Sequence, residues 1–405
     1  MKKSSQVRLR NLTLLLVSTL TIMASAIIAP ALPKMGMHFS DASHGELLVK
    51  MTLTVPALMI VVCAPLAGVL LDRLPKVRVL LGGLLLYGIS GSCAYFISDD
   101  LLIILASRVV LGIAVAIVMV GCTTLVGDYF EGEERHQYMG YMAAFGSFGG
   151  VVFLVLGGLL AEMDWRSPFL IYSVALLMAP AAFSLLTEPE KPCTDAPLGP
   201  LSATASMSSS RAIIVLCYGF ALVEITCFYI IPVHLPFYLA SFSESAYTSS
   251  ISGAVIGASM LMSALVALNY SRIKSKLSFP AVGMLGLLML GSGLVLASLS
   301  GTVFQVGMSL LLSGMGVGMI RPNIVNWLLS SIAPQHRGRV MGGMTSCLFL
   351  GQFISPLLTQ PLLDSYGYVT LFQIMAAVVL VCTAGLAGLF ASPYATRFKL
   401  VMAPS

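Results

Sequence analysis

Twelve apolar stretches, each about long enough to cross a lipid bilayer, leave this chain little choice of fold. A hydrocarbon core about 30 Å thick needs roughly 20 apolar residues of helix. The stretches cover residues 11–33, 48–71, 77–97, 101–126, 139–161 and 168–186, then 212–232, 248–268, 279–299, 303–332, 341–363 and 370–390. Inside lipid every backbone N–H and C=O has to be paired within the protein, which here means helices, and the same neighbours tolerate glycine and proline inside them. The expected class is an all-α polytopic membrane protein. Composition agrees, since only 10% of the 405 residues are charged and 58% are hydrophobic, against about 25% charged in soluble domains. Soluble enzymes, nucleic-acid binders and secreted disulfide scaffolds are excluded on that ground. Seven of the eight cysteines (Cys63, Cys93, Cys122, Cys217, Cys227, Cys347 and Cys382) lie in apolar runs with no CxxC pair, so they read as small core hydrophobes. No metal or cofactor is expected.

Lys2, Lys3, Arg8 and Arg10 precede an apolar run containing Ala24-Ser25-Ala26, the outline of a cleavable signal peptide. The run continues through Ile27, Ile28 and Leu32, which makes it long enough to span. Placing the N-terminus in the cytoplasm puts 17 of the basic residues in loops on that side and leaves Lys34, Lys50 and Arg166 opposite. By the positive-inside rule both termini are cytoplasmic, and a plasma (inner) membrane location follows.

The longest break, residues 187–211, is rich in Pro, Ser, Thr and Ala and reads as a flexible linker. It separates a six-span bundle (residues 1–186) from a second one (212–405). The halves echo each other at a constant offset of 202 residues: Pro30 with Pro232, Gly112 with Gly314, Arg135 with Arg337, Met139 with Met341, Gly140 with Gly342, and Gly149 with Gly351. Two pseudo-symmetric six-helix bundles form a transporter architecture, with substrate expected near the midplane.

The run Gly68-Val-Leu-Leu-Asp72-Arg73-Leu-Pro-Lys76-Val-Arg78 resembles the loop signature of the major facilitator superfamily between its second and third helices. Pro75 stands where that signature usually has Gly, and Val77 where it has a second basic residue. Arg108 with Gly112, Trp165-Arg166 with Phe169, and Arg337-Gly338-Arg339 add to the likeness. The first span, ending Ile27-Ile28-Ala29-Pro30-Ala31-Leu32-Pro33, is similar to the twelve-helix drug:proton antiporter branch. The resemblance implies that Gly68, Asp72, Arg73, Lys76 and Arg78 gate the conformational change, with Asp72 set near the positive end of the eleventh helix, and that Arg108 takes part in proton transfer or substrate contact. It also implies a monomer. One departure bears on direction. In the fifth span Gly140, Gly149, Gly157 and Gly158 keep the antiporter spacing, but Phe153 and Leu154 occupy its Gly-Pro step.

An ionisable side chain at mid-membrane costs at least about 2.5 kcal/mol on insertion scales, so each needs a reason. Arg108, Glu224 and Arg321 are the clear cases. Glu224 is the one acidic residue at such depth, with Phe220 and Phe228 a turn away. Shielding from water favours a neutral acid and a nearby arginine favours the carboxylate, so a movable arginine or substrate could switch its protonation. The alternative is a permanent ion pair with Arg321 or Arg108 that only fixes packing. Arg321 precedes Pro322, and Asn323 and Asn326 add polarity, which makes these three the expected substrate contacts together with Phe220 and Phe228. Asp128, Glu131, Glu133 and Glu134 read as a solvated face. The five histidines sit in or beside loops, with no HExxH and no phosphate loop. An enzyme is therefore the weakest reading. The expected partners are a small-molecule substrate, protons and the bilayer, with no nucleic acid. Two arginines against one glutamate tilt the substrate toward anionic or zwitterionic amphiphiles. Proton-coupled efflux and proton-coupled uptake both stay open.

Overall fold

The computed structural model describes residues 2–97, 100–189, 207–242, 248–332 and 336–391, and among them every regular element is a helix. Ten apolar segments run singly: α1 (Gln6–His38), α2 (Gly45–Arg73), α3 (Lys76–Phe96), α4 (Leu101–Tyr129), α5 (Gln137–Met163), α6 (Ser167–Leu185), α7 (Arg211–Ala240), α8 (Ser249–Leu268), α9 (Phe279–Ser298) and α10 (Val303–Ser330). The last segment, Arg337–Phe390, is 54 residues long. It breaks at Gly367, whose φ of 76° and ψ of 175° are not helical. That region of backbone space is essentially open to glycine alone, so the segment is two helices, α11 (337–366) and α12 (368–391), and the twelve expected spans are present.

Two boundaries differ from the sequence reading. α1 tightens into a 3-10 turn at Ala29–Ala31 around Pro30 and then resumes as far as His38. α7 does not stop at Pro232. It pauses at Tyr229 and continues through Pro232 and Pro236 to Ala240, because neighbouring helices satisfy the carbonyls that proline frees. His234 is thereby carried into a helix and is fully buried, which corrects its expected place beside a loop.

The chain forms two compact units, residues 1–189 with 229–261 and 352–364, and residues 190–228 with 262–351 and 365–405. The first holds α1–α6 together with one end each of α7, α8 and α11. Tyrosines tie it across helices: Tyr87 donates to the Leu20 carbonyl at 2.7 Å and Tyr172 to that of Ala24 at 2.8 Å. α5 and α8 meet backbone to backbone. A Cβ at Gly158 would lie 2.8 Å from the Ser249 carbonyl oxygen, and one at Gly253 would lie 2.4 Å from that of Leu154. In the second unit Phe279 stacks on Trp327 at 6.0 Å, and Tyr218 of α7 donates to the Val340 carbonyl of α11 at 2.6 Å.

Candidate functional site

The mid-membrane charges of the second unit come together. Glu224 on α7 is fully enclosed, and its Oε1 accepts a hydrogen bond from Nε of Arg321 on α10 at 3.4 Å. Its other oxygen, Oε2, is buried with no partner. A buried polar atom left unpaired costs about 1–3 kcal/mol, so Oε2 is a ready seat for a proton. Arg321 is different in kind, being 41% exposed along its side chain, with its guanidinium carbon 5.1 Å from the centroid of Phe228. Arginine carries five N–H donors. Nε–H goes to Glu224, and the others make no hydrogen bond among the described residues. The result is a sealed acid with one free oxygen, held loosely by a base that still has donors to give.

The remaining expected contacts do not join this pair equally. Phe228 is buried beneath Arg321. Phe220, one turn before Glu224 on the same helix, lines an apolar cavity of about 360 Å³ with Leu216, Leu287, Cys382 and Leu386. Asn323 is spent on architecture. It is 1% exposed, accepts from the Tyr270 hydroxyl at 3.1 Å and donates to the Phe279 carbonyl at 2.9 Å, which ties α10 to the start of α9. One bond at each end holds the amide in place. Burial pushes the Tyr270 phenol up to about 12, so this bond keeps its donor throughout the physiological range. Asn326 is exposed and donates to the Pro322 carbonyl at 2.8 Å.

In the first unit Arg108 is completely buried. Nη2 donates to the carbonyls of Gly91 at 2.7 Å and Ser90 at 3.4 Å, Nε to the Ser107 hydroxyl at 3.4 Å, and the Phe169 and Tyr172 rings lie 4.9 Å from the guanidinium carbon. No carboxylate is among these partners. Gly68, Asp72, Arg73 and Arg78 lie on α2 and α3, where Asp72, Arg73 and Arg78 are exposed. Lys76 pairs with Asp128 at 2.7 Å, and Asp128 stays exposed. Glu188, just past α6, caps the first turn of α3 by accepting from the backbone N–H of Lys76 and, at 3.0 Å, of Val77.

One intramembrane charge escaped the sequence reading. Lys50 was assigned to a loop, yet it sits in α2 and is 0% exposed. Its spacing from Glu46, one helical turn earlier, was the available signal.

A scaffold of apolar, membrane-length helices that encloses charged side chains points to a membrane carrier. The chain belongs to the Major Facilitator Superfamily, whose family model matches residues 14–356 and 282–400, and it is a transporter and not an enzyme. It is 26% identical over 336 residues to the quinolone resistance protein NorA of Staphylococcus aureus (strain MRSA252), covering 80% of this chain and 84% of that one. Over a shorter span of 153 residues it is 31% identical to the bacillibactin exporter of Bacillus subtilis (strain 168), covering 36% and 37% of the two chains. Among solved structures, a bacterial homolog of the human lysosomal transporter Spinster, in an inward-facing and unoccupied conformation, superposes with a TM-score of 0.77 at 14% identity over 98% of both chains. A POT family transporter in complex with 5-aminolevulinic acid gives 0.74 at 14% identity over 95% of this chain and 96% of that one. The fold is shared across this range of cargoes.

Proposed function

We propose that the chain is a monomeric proton-coupled exporter of small amphiphilic compounds, zwitterionic ones first. It would work by alternating access of two six-helix bundles in the plasma membrane with both termini cytoplasmic. The observation that carries this reading is the asymmetric pair of Glu224, with its free Oε2, and Arg321, with its free donors. A zwitterion satisfies both partners, its cationic group taking the Glu224 carboxylate and its anionic group taking the Arg321 fork. A proton arriving on Glu224 removes the partner of the cationic group and releases the cargo, which is antiport. The likeness to drug-resistance and exporter proteins supports the same direction.

A second reading follows from the same chemistry. A purely anionic cargo has no use for the carboxylate, so protonating Glu224 frees Arg321 to hold it. Proton and anion then travel together, which is uptake. Phe153 and Leu154 at the Gly-Pro positions of α5 favour this alternative.

Proteoliposomes carrying an imposed pH difference, assayed with a zwitterionic fluorescent amphiphile and its N-acylated anionic counterpart, separate the readings. Export is supported if the zwitterion moves against the proton flow, and uptake if the anion moves with it. Glu224→Gln fixes the side chain in its neutral form, so it should lose accumulation driven by the pH difference together with affinity for the zwitterion. Undiminished accumulation in that variant removes Glu224 from coupling. Because Arg321 is partly exposed, losing the carboxylate strands no buried charge, and the variant should express near the parent level.

A further inference from the structure

At the end of the helices opposite the chain termini, the first unit holds a charged group that the transport reading leaves unused. The Lys50 ammonium, on the second turn of α2, donates to Glu46 Oε1 at 2.5 Å and to Gln360 Oε1 of α11 at 2.7 Å. It also lies 4.7 Å from the centroid of the Phe237 ring on α7. Gln360 passes the connection on, its Nε2 donating to Asp364 Oδ1 at 2.8 Å. Alongside, His234 Nε2 of α7 is 2.7 Å from the Thr359 hydroxyl of α11, and that hydroxyl donates to the Ser355 carbonyl at 2.7 Å. A hydroxyl has one proton to give, so Thr359 accepts from the imidazole and His234 is the Nε2–H tautomer. One amine thus fastens α2 to the ends of α7 and α11, the same ends that pack with α1–α6 in this unit.

A methionine would hold such a junction more cheaply, because a charge taken out of water loses hydration that its new partners barely repay. The amine brings reversibility. Its hydration is returned when the helices part, so the closed and parted arrangements stay close in free energy, which an apolar plug of equal size does not allow. We propose that Lys50 is the pin of a polar latch that shuts this end of the transporter and is broken and remade once in each cycle. The proposal rests on the transport reading only for the word cycle. The latch itself is read without any substrate.

The test uses the full-length chain with its native cysteines replaced and a reporter placed at Thr54→Cys. Thr54 is one turn beyond Lys50 on the same helix, is 0% exposed, and its hydroxyl has no partner, so the exchange costs no hydrogen bond. A membrane-impermeant charged maleimide is applied to each membrane face in turn, and the labelling rate is measured. Lys50→Ala, which removes the charge and leaves no apolar plug in its place, should raise the rate about tenfold, as expected for losing charged hydrogen bonds, and only from the face opposite the termini. Gln360→Ala, which leaves Lys50 its Glu46 partner, should raise it less. Parent-like rates in both variants overturn the latch, as does a rise confined to the terminus-bearing face. If Lys50→Ala does not accumulate as folded protein, Gln360→Ala alone decides. A parent chain that moves neither fluorescent amphiphile overturns the transport reading and leaves the labelling result standing.

Discussion

Arg321 is proposed to hold cargo because it is only half committed. Its partner Glu224 is sealed, while much of the arginine side chain is open and most of its fork is unspent among the described residues. Lysine in its place keeps the charge but loses the planar array of donors that a carboxylate reads as a pair. Arg321→Lys should therefore fold normally and lose about tenfold or more in flux at low cargo concentration, on the scale of one charged hydrogen bond. Flux equal to the parent takes the residue out of the binding step. Glu224 and Arg321 could be found in the sequence because lipid makes a mid-helix charge conspicuous. Lys50 offers only its one-turn spacing from Glu46, since a lysine six residues into a helix ordinarily carries its head out to the interface, and only the fold shows Gln360 and Phe237 beside it. Asn323 shows the reverse: nothing local announces that the Tyr270 hydroxyl, 53 residues away, donates to its amide oxygen.

Among elements, the echo at 202 residues has a physical counterpart. Gly149 of α5 faces α1, where a Cβ would lie 3.3 Å from that of Thr19, and Gly351 of α11 faces α7, where it would lie 2.4 Å from Ile225 Cγ2. The same interhelical contact is built twice. The charges do not repeat: the positions 202 residues from Lys50, Arg108, Glu224 and Arg321 hold Ser252, Leu310, Ile22 and Met119. The sequence showed the glycine series of α5 but not which members touch a neighbour. A Cβ at Gly140 would meet nothing within 4 Å, whereas at Gly158 it would meet the α8 backbone. Gly158→Ala should therefore lower the melting temperature in detergent through overpacking of about 1–3 kcal/mol, and Gly140→Ala should leave it unchanged. Equal melting of the two variants contradicts the α5–α8 contact.

For the whole molecule, turnover requires opposite ends to open in alternation, so each end needs a fastening of its own. Lys50 is proposed for one. At the other, Asp72 stands exposed at the close of α2, near the turn where Lys76 meets Asp128 and Glu188 caps α3. Asp72→Asn should leave the KM for a transported amphiphile close to that of the parent and slow maximal flux, because the carboxylate is proposed to act on the conformational step and not on cargo. A raised KM with unchanged maximal flux contradicts this. The number of spans was legible from hydropathy alone, since lipid admits helices and little else. The course of the backbone through proline was not, and with it went the true ends of α1 and α7 and the burial of His234. Gly367 carries a last consequence, for biosynthesis. With one non-helical residue between them, α11 and α12 have no slack to wait for each other at the ribosome exit. The two should therefore enter the bilayer as one hairpin, and a nascent chain cut short after α11 should insert that helix less efficiently than the full pair.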